Sequence, residues 1–292
     1  MKPWLLPLII CLLSSTAWCR DEVKLNPSLW TAKAKLSHIT GLKMPANWQE
    51  GASFESFQDV LRGYELPKSW DWRKESPAQP GIRNQGNCGS CWAFGTTAAL
   101  NWALSRKMAT PVNLAEQEIL SCSHDGSCGG GYFAHDYQQA TGQSPEKEFP
   151  YVASDVRCKK NLSHMYKIAK WGYVGEKHRK PSVDELKAAI YAYGPISVTV
   201  NANNAFAQYQ SGVFKGKHCG KGSTNHLVHL VGWDDDGGYF ILGNSWGESW
   251  GEKGYMRIAY GCSRVGEAAA FVSLDGTELS NFRKSQKLPA TK

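Results

Sequence analysis

Gln85-Gly-Asn-Cys-Gly-Ser-Cys-Trp-Ala-Phe94 puts a thiol, Cys91, at the head of an apolar stretch, with a side-chain amide, Gln85, six residues upstream. From Cys91 to Lys107, Trp92, Ala99, Trp102 and Ala103 stand among small residues, which predicts a buried central helix. The first turn of a helix leaves backbone N–H groups unpaired at the positive end of its dipole, so a thiol placed there loses its proton more readily. Gln85 can add a side-chain N–H beside the backbone N–H of Cys91, and two such donors make a cradle for an oxyanion.

A thiolate that attacks a carbonyl needs a group to move protons, and near neutral pH histidine does this. Asn225-His226-Leu227-Val228-His229-Leu230-Val231-Gly232-Trp233 begins a strand-like run, and His226 lies 135 residues after Cys91. Asn244, 18 residues further on, heads Asn-Ser-Trp-Gly and can orient the imidazole. A Cys in Cys-Gly-Ser-Cys-Trp followed by His and Asn about 130–150 residues later is a recognised spacing. His229 is three positions along the same strand, faces the other way, and reads as a core histidine.

On these residues the chain resembles the papain-like cysteine peptidases from about Leu66 to about Asp275. Four blocks carry the resemblance: Leu66-Pro-Lys-Ser-Trp-Asp-Trp-Arg73, the Gln85 block, Asn225-His226, and Asn244-Ser-Trp-Gly-Glu-Ser-Trp-Gly-Glu-Lys-Gly-Tyr255. Asn225 stands where many members have Asp. The resemblance implies Cys91 as nucleophile, His226 as general acid and base, Asn244 as orienter, Gln85 as oxyanion donor, and Trp246 as a shield over the His226–Asn244 hydrogen bond. It implies an α+β, two-lobed fold with a helical left lobe, an antiparallel β-barrel-like right lobe and a cleft between them. Polypeptide substrates, the chain's own propeptide and cystatin-like inhibitors as partners, and a monomeric state, follow from the same resemblance. Such chemistry requires no metal or organic cofactor.

Nine cysteines are present. Cys11 and Cys19 lie in or beside an N-terminal stretch in which Lys2 precedes an apolar Leu5–Leu13, ending in small residues near Ala17; it reads as a secretory signal peptide over residues 1–19. Cleavage after Ala17 leaves Cys19 on the propeptide, and cleavage after Cys19 removes it. Six cysteines besides Cys91 remain, an even number that in an exported chain implies disulfides, in any of fifteen connectivities. The family resemblance implies Cys88–Cys128, Cys122–Cys158 and Cys219–Cys262, leaving Cys91 free. A thioredoxin-type reading of Cys88-Gly-Ser-Cys91 lacks a surrounding βαβ pattern, and zinc ligation lacks a second closely spaced pair. The compartment is the secretory pathway, ending outside the cell, in a lysosome-like vesicle or in a periplasm according to the host.

The 292 residues carry a net charge of +7 with 42% hydrophobic content, an ordinary balance for a soluble protein. No basic run is interleaved with aromatics, so nucleic acid is not an expected partner, and the N-terminal apolar run is too short for stable membrane insertion. Arg283, Lys284, Lys287 and Lys292 place much of the excess charge in a polar tail, residues 276–292, expected to be disordered. Residues 20–65 form a polar segment with scattered Trp30, Trp48, Phe54 and Phe57 and read as a short propeptide lying through the cleft, nearer in length to the cathepsin B-like kind. The peptidase domain is then 66–275. Asn113 is expected to cap a helix through Cys122, and Ser182-Val-Asp-Glu185 is a capping box before Leu186–Tyr193. Strands are expected at Ile196–Val200, Leu227–Trp233, Tyr239–Leu242, Tyr255–Tyr260 and Ala269–Ser273.

Cys128-Gly129-Gly130-Gly131-Tyr132 resembles the family's glycine wall, with Gly129 in place of the usual Asn, and implies that Gly130 and Gly131 pair with substrate backbone. Glu267, five residues after Cys262, corresponds to a position in the floor of the second specificity pocket, where cathepsin B-like members carry a carboxylate. A carboxylate there predicts tolerance of Arg beside bulky apolar residues at the second position before the cut; the competing reading is a solvated Glu displaced by an alignment slip. No His-His pair of the kind that occludes the cathepsin B cleft occurs, so an open primed side and endopeptidase activity are expected. Asn161-Leu162-Ser163 is a glycosylation sequon.

Overall fold

The computed structural model describes residues 22–27, 36, 39–61 and 65–278; the signal peptide and residues 279–292 of the tail lie outside the described residues. Helices are α1 (Gln58–Leu61), α2 (Trp72–Glu75), α3 (Cys91–Met108), α4 (Glu116–Cys122), α5 (His135–Ala140), α6 (Val183–Tyr193) and α7 (Asn204–Ala207). Strands are β1 (Lys24–Leu25), β2 (Phe54–Glu55), β3 (Ser69–Asp71), β4 (Gly126–Ser127), β5 (Gly130–Gly131), β6 (Lys170–Val174), β7 (Ile196–Val200), β8 (Tyr209–Ser211), β9 (Val213–Phe214), β10 (His226–Asp234), β11 (Tyr239–Gly243), β12 (Tyr255–Ala259) and β13 (Ala269–Ser273). Helices α3 to α5 make one lobe and the large sheet with α6 the other, the two-lobed α+β architecture expected. The sheet runs β2-β6-β13-β7-β10-β11-β12-β9 as an open path, with β3 added beside β10. Its pairs are antiparallel except β2–β6 and β9–β12.

Strand β10 is buried from His226 to Trp233, which is why its sequence is a continuous apolar run without alternation. Against it lies α3, buried over most of its length because small residues let the sheet approach closely. The capping box forms: Ser182 Oγ accepts from the Glu185 N–H and the Glu185 carboxylate accepts from the Ser182 N–H. Asn113 does not cap α4. That helix begins three residues later at Glu116, behind Ala115, because Leu114 first bridges to Pro145 and gives its N–H to Asn101 Oδ1 at 3.0 Å. The disulfides are Cys88–Cys128, Cys122–Cys158 and Cys219–Cys262, and among the described cysteines Cys91 alone is free. Among the described residues no helix is long and apolar enough to cross a membrane.

Candidate active site

Cys91 is the first residue of α3, and the chain before it is folded back on itself by Cys88–Cys128 and by Gly89 N–H donating to Cys128 O at 2.9 Å. Gln85 is fully buried, and both ends of its amide are held: Nε2 donates to Cys88 O at 2.8 Å, and Oε1 accepts from Ser245 Oγ at 2.7 Å. The backbones of Gln85 and Ser245 also pair, at 2.9 Å. Tyr151 supports the loop from behind, its hydroxyl lying 2.8 Å from Gln85 O and 2.6 Å from Ser90 Oγ. Sequence reasoning assigned no role to Ser245, although it stands inside the quoted Asn-Ser-Trp-Gly block, and none to Tyr151 or Ser90.

His226 opens β10, and Asn244 follows the end of β11, the neighbouring strand. Asn244 Oδ1 accepts the Ser245 N–H at 2.8 Å, which fixes which end of the amide is oxygen. His226 Nε2 lies 2.8 Å from that oxygen and is therefore the protonated nitrogen of the neutral ring. Nδ1 is buried and, among the described residues, has no hydrogen-bond partner, so the ring keeps a free lone pair. Trp246 stacks on the imidazole, with ring centroids 4.7 Å apart. The thiol of Cys91 faces the backbone of Leu227, the residue after His226. Asn225 is engaged structurally: its side chain exchanges two hydrogen bonds with the backbone of Ala202, at 2.8 and 2.9 Å.

The cleft is filled by the chain's own residues 39–43. Gly41 and Leu42 donate their N–H groups to Asn225 O at 3.1 and 3.0 Å; Gly131 donates to Gly41 O and Lys43 to Gly131 O, both at 2.8 Å; and Trp246 Nε1 donates to Ile39 O at 3.0 Å. The strand so formed is parallel to Gly131. It also brings the backbone N–H groups of Gly41 and Leu42 to the Cys91 thiol. Gly41 is pressed so closely on Gly89 that a Cβ would stand 1.8 Å from Gly89 O. Cys91 and His226 are both 0% exposed beneath this cover. Burial pushes the Cys91 thiol up to about 12 and pulls the His226 imidazole down to about 4. In the covered state both groups are thus neutral, and the thiolate expected at a helix N-terminus is suppressed by desolvation.

Leu42 packs with Phe133, Tyr173, Leu227, Ala268 and Ala270. Glu267 precedes Ala268 in the chain. Its carboxylate is bound by the Arg264 guanidinium, with Nε 2.6 Å from Oε2, and its side chain is 30% exposed. Ala268, the next residue, is a member of that cluster, and Ser263 and Arg264 in the turn before it have left-handed backbone (φ 50° and 54°). His229 is buried on the opposite face of β10, beside a small cavity with Arg83, Asn101 and Glu116, where burial pulls its imidazole down to about 4.

Residues 66–273 match the family described as Peptidase_C1, papain family cysteine protease. The chain belongs to this family. It is 36% identical to cathepsin K of Mus musculus over 239 residues, which are 78% of this chain and 70% of that protein. It is 36% identical to germination-specific cysteine protease 1 of Arabidopsis thaliana over 214 residues, 70% of this chain and 55% of that protein, so it spans little more than half the length of that relative. Among solved structures it resembles digestive procathepsin L2 from Tenebrio molitor larval midgut, with a TM-score of 0.77, 26% identity and coverage of 86% and 84% of the two chains. It also resembles the bromelain protease of Ananas comosus in complex with E64, with a TM-score of 0.65, 33% identity and coverage of 72% and 100%.

The cover is expected to slow reaction of the thiol. Iodoacetamide at pH 7.5 is expected to label Cys91 at least 100-fold more slowly than a free thiol, and Gly41→Val, which cannot fit against Gly89, is expected to restore most of the rate. Fast labelling of the unaltered chain would contradict this.

Acid weakens the cover through His226. Its folded value is lowered, so the uncovered ring takes up a proton between about pH 6.5 and about pH 4 that the covered ring refuses, and the covered state loses stability as pH falls through that window. In a Cys91→Ala chain, hydrogen-exchange protection of the Gly41 and Leu42 amides, corrected for intrinsic rates, is expected to fall from pH 7 to pH 4. Constant protection would show that His226 does not drive the change.

Proposed function

We propose that this chain is the zymogen of an exported cysteine endopeptidase that hydrolyses peptide bonds through Cys91, His226 and Asn244. The observation that carries the reading is the orientation of the imidazole. Asn244 Oδ1 holds the proton on Nε2 and leaves Nδ1 bare, the nitrogen needed to take a proton from a thiol. With residues 39–43 displaced, water reaches both groups, their protonation returns toward ordinary values, and the helix N-terminus favours the thiolate. Cys91 Sγ attacks the carbonyl carbon; the oxyanion is received by the Cys91 backbone N–H and Gln85 Nε2, which Ser245 already holds in place. His226 gives its proton to the leaving amine, then takes one from the water that releases the acyl group.

Substrate backbone pairs with Gly130 and Gly131, as residues 39–43 pair with Gly131 here. The residues clustered with Leu42 are apolar and include Ala268. This favours aliphatic or aromatic side chains at the second position before the cut. The Arg tolerance expected from Glu267 has no support, because Arg264 occupies that carboxylate. A cathepsin B-like placement rested on that carboxylate and on propeptide length; cathepsin K and cathepsin L-like relatives favour the other branch. The chain's own prosegment is the inhibitor, and cystatin-like proteins would compete for the same groove.

Cys91→Ala in the matured protein is expected to fold and to abolish cleavage of internally quenched peptides, and Gln85→Ala to lower kcat about 10²–10³-fold with little change in KM. A retained rate in either variant would refute the assignment.

Glu267→Ala is expected to leave the ratio of kcat/KM for Leu and Arg substrates at the second position unchanged. A severalfold loss of Arg cleavage would return Glu267 to the pocket.

A further inference from the structure

The segment from Ile39 to Leu61 joins the rest of the molecule in two unlike ways. Residues 39–43 lie in the groove and are held mainly by backbone hydrogen bonds. A turn over residues 46–51 follows, with Ala46, Asn47, Glu50 and Gly51 exposed. The middle of the turn touches the body, Trp48 lying edge-on to Tyr173 at 4.7 Å and Gln49 Oε1 accepting the His178 N–H at 2.6 Å, and beyond it the chain enters the sheet. Tyr173 donates its N–H to Ser53 O and Gly175 to Glu55 O, both at 2.8 Å, so β2 is the outermost strand of the large sheet. Lys170 Nζ lies 2.7 Å from the Glu55 carboxylate. Phe57 is 0% exposed, edge-on to Tyr193 at 6.1 Å and to Phe271 at 6.5 Å, within the main apolar cluster of the sheet lobe. Helix α1 packs on α6. A groove-filling inhibitor has no need of a side chain in the middle of the enzyme's own core, and withdrawing Phe57 would leave a cavity between two aromatic rings.

We infer that β2 and α1 are permanent parts of the enzyme and that its maturation site is the exposed turn 46–51, not the boundary near Leu66 that the sequence suggested. This rests on the zymogen reading above. Hydrolysis there breaks one C–N bond, water supplying hydroxyl to the new carboxylate and hydrogen to the new amine. It separates residues 39–43 from their downstream anchor while Phe57 stays in place. The turn is open to a protease; the strand beyond it is paired and its aromatic residue is enclosed.

Limited digestion of the Cys91→Ala chain by thermolysin, which does not depend on the chain's own activity, is expected to cut first within 45–51 and to leave a body beginning there. The same cut in the unaltered chain is expected to raise the rate of Cys91 alkylation at least 100-fold, and N-terminal sequencing of self-matured protein is expected to start within 46–52. Phe57→Ala should lower the Tm of the nicked protein by about 10 °C, and Phe57→Leu by less if the first variant does not fold. An active, gel-filtered enzyme that starts within 62–66, has lost residues 52–61 and keeps its Tm would overturn the inference. A nicked chain with a reactive thiol and no peptidase activity would instead overturn the zymogen reading and leave the placement of the cut standing.

Discussion

The contact on which the arrangement depends is that of α3 with β10 at Gly95. A Cβ on Gly95 would lie 2.6 Å from the Leu227 side chain, so only a residue without one lets the helix come this close to the strand. Ser197 Oγ, from the strand beside β10, closes the contact by donating to Gly95 O at 2.7 Å. Cys91 is four residues before Gly95, about one helical turn, and His226 is the residue before Leu227. One close approach therefore brings a thiol at the head of a helix and an imidazole at the head of a strand to the same end of the interface. Neither lobe builds the site by itself.

Around that contact the polar groups are oriented by neighbours with few degrees of freedom. Asn244 Oδ1 receives a backbone N–H and an imidazole N–H, and the Gln85 amide is fixed at both ends. Such prior fixing matters more than the number of bonds, because a donor already aimed at a developing charge need not reorganise. The covering segment acts on the same groups through solvation. By excluding water it stabilises the neutral thiol and the neutral imidazole, against the helix dipole that would favour a thiolate.

The placement of Cys91, His226 and Asn244 was legible because each stands in a local signal with a physical cause: a cysteine at a helix start, a histidine opening a buried apolar run, an amide behind a strand. The same holds for the Ser182 capping box and for strands Ile196–Val200 and Ala269–Ser273, whose bounds the sequence predicts to the residue. Counting residues across a turn was less informative. Glu267 is paired with Arg264 after a turn with left-handed backbone at Ser263 and Arg264, and nothing in the sequence marks those two residues for that conformation. Asn113 failed as a cap for a related reason, since a bridge between Leu114 and Pro145, distant in sequence, took the backbone first. The groove segment was legible as a stretch lying through the cleft but not residue by residue, because Gly41 acquires its meaning only when set against Gly89.

That groove segment is weakly held for something that silences a site. Among the described residues five hydrogen bonds attach residues 39–43 through Asn225, Gly131 and Trp246, each worth about 0.5–1.5 kcal/mol net, and Leu42 adds the burial of one aliphatic side chain. A free peptide making these contacts would also lose translational and conformational freedom and would bind poorly. Covalent continuity removes most of that cost by making occupancy intramolecular, at an effective concentration that short tethers raise to the millimolar range. The tether is fastened downstream by β2 in the large sheet and upstream by the two-residue pairing of β1 with β8. The two fastenings are unequal: one includes a fully enclosed Phe57, whereas the other pairs Lys24 and Leu25 with β8, adds the Asn26 N–H to Gln208 O at 2.7 Å and packs Val23 and Leu25, both only partly buried, against the sheet lobe. Occlusion is therefore a property of the unbroken segment, and the strength of the downstream fastening is what lets so few groove contacts suffice.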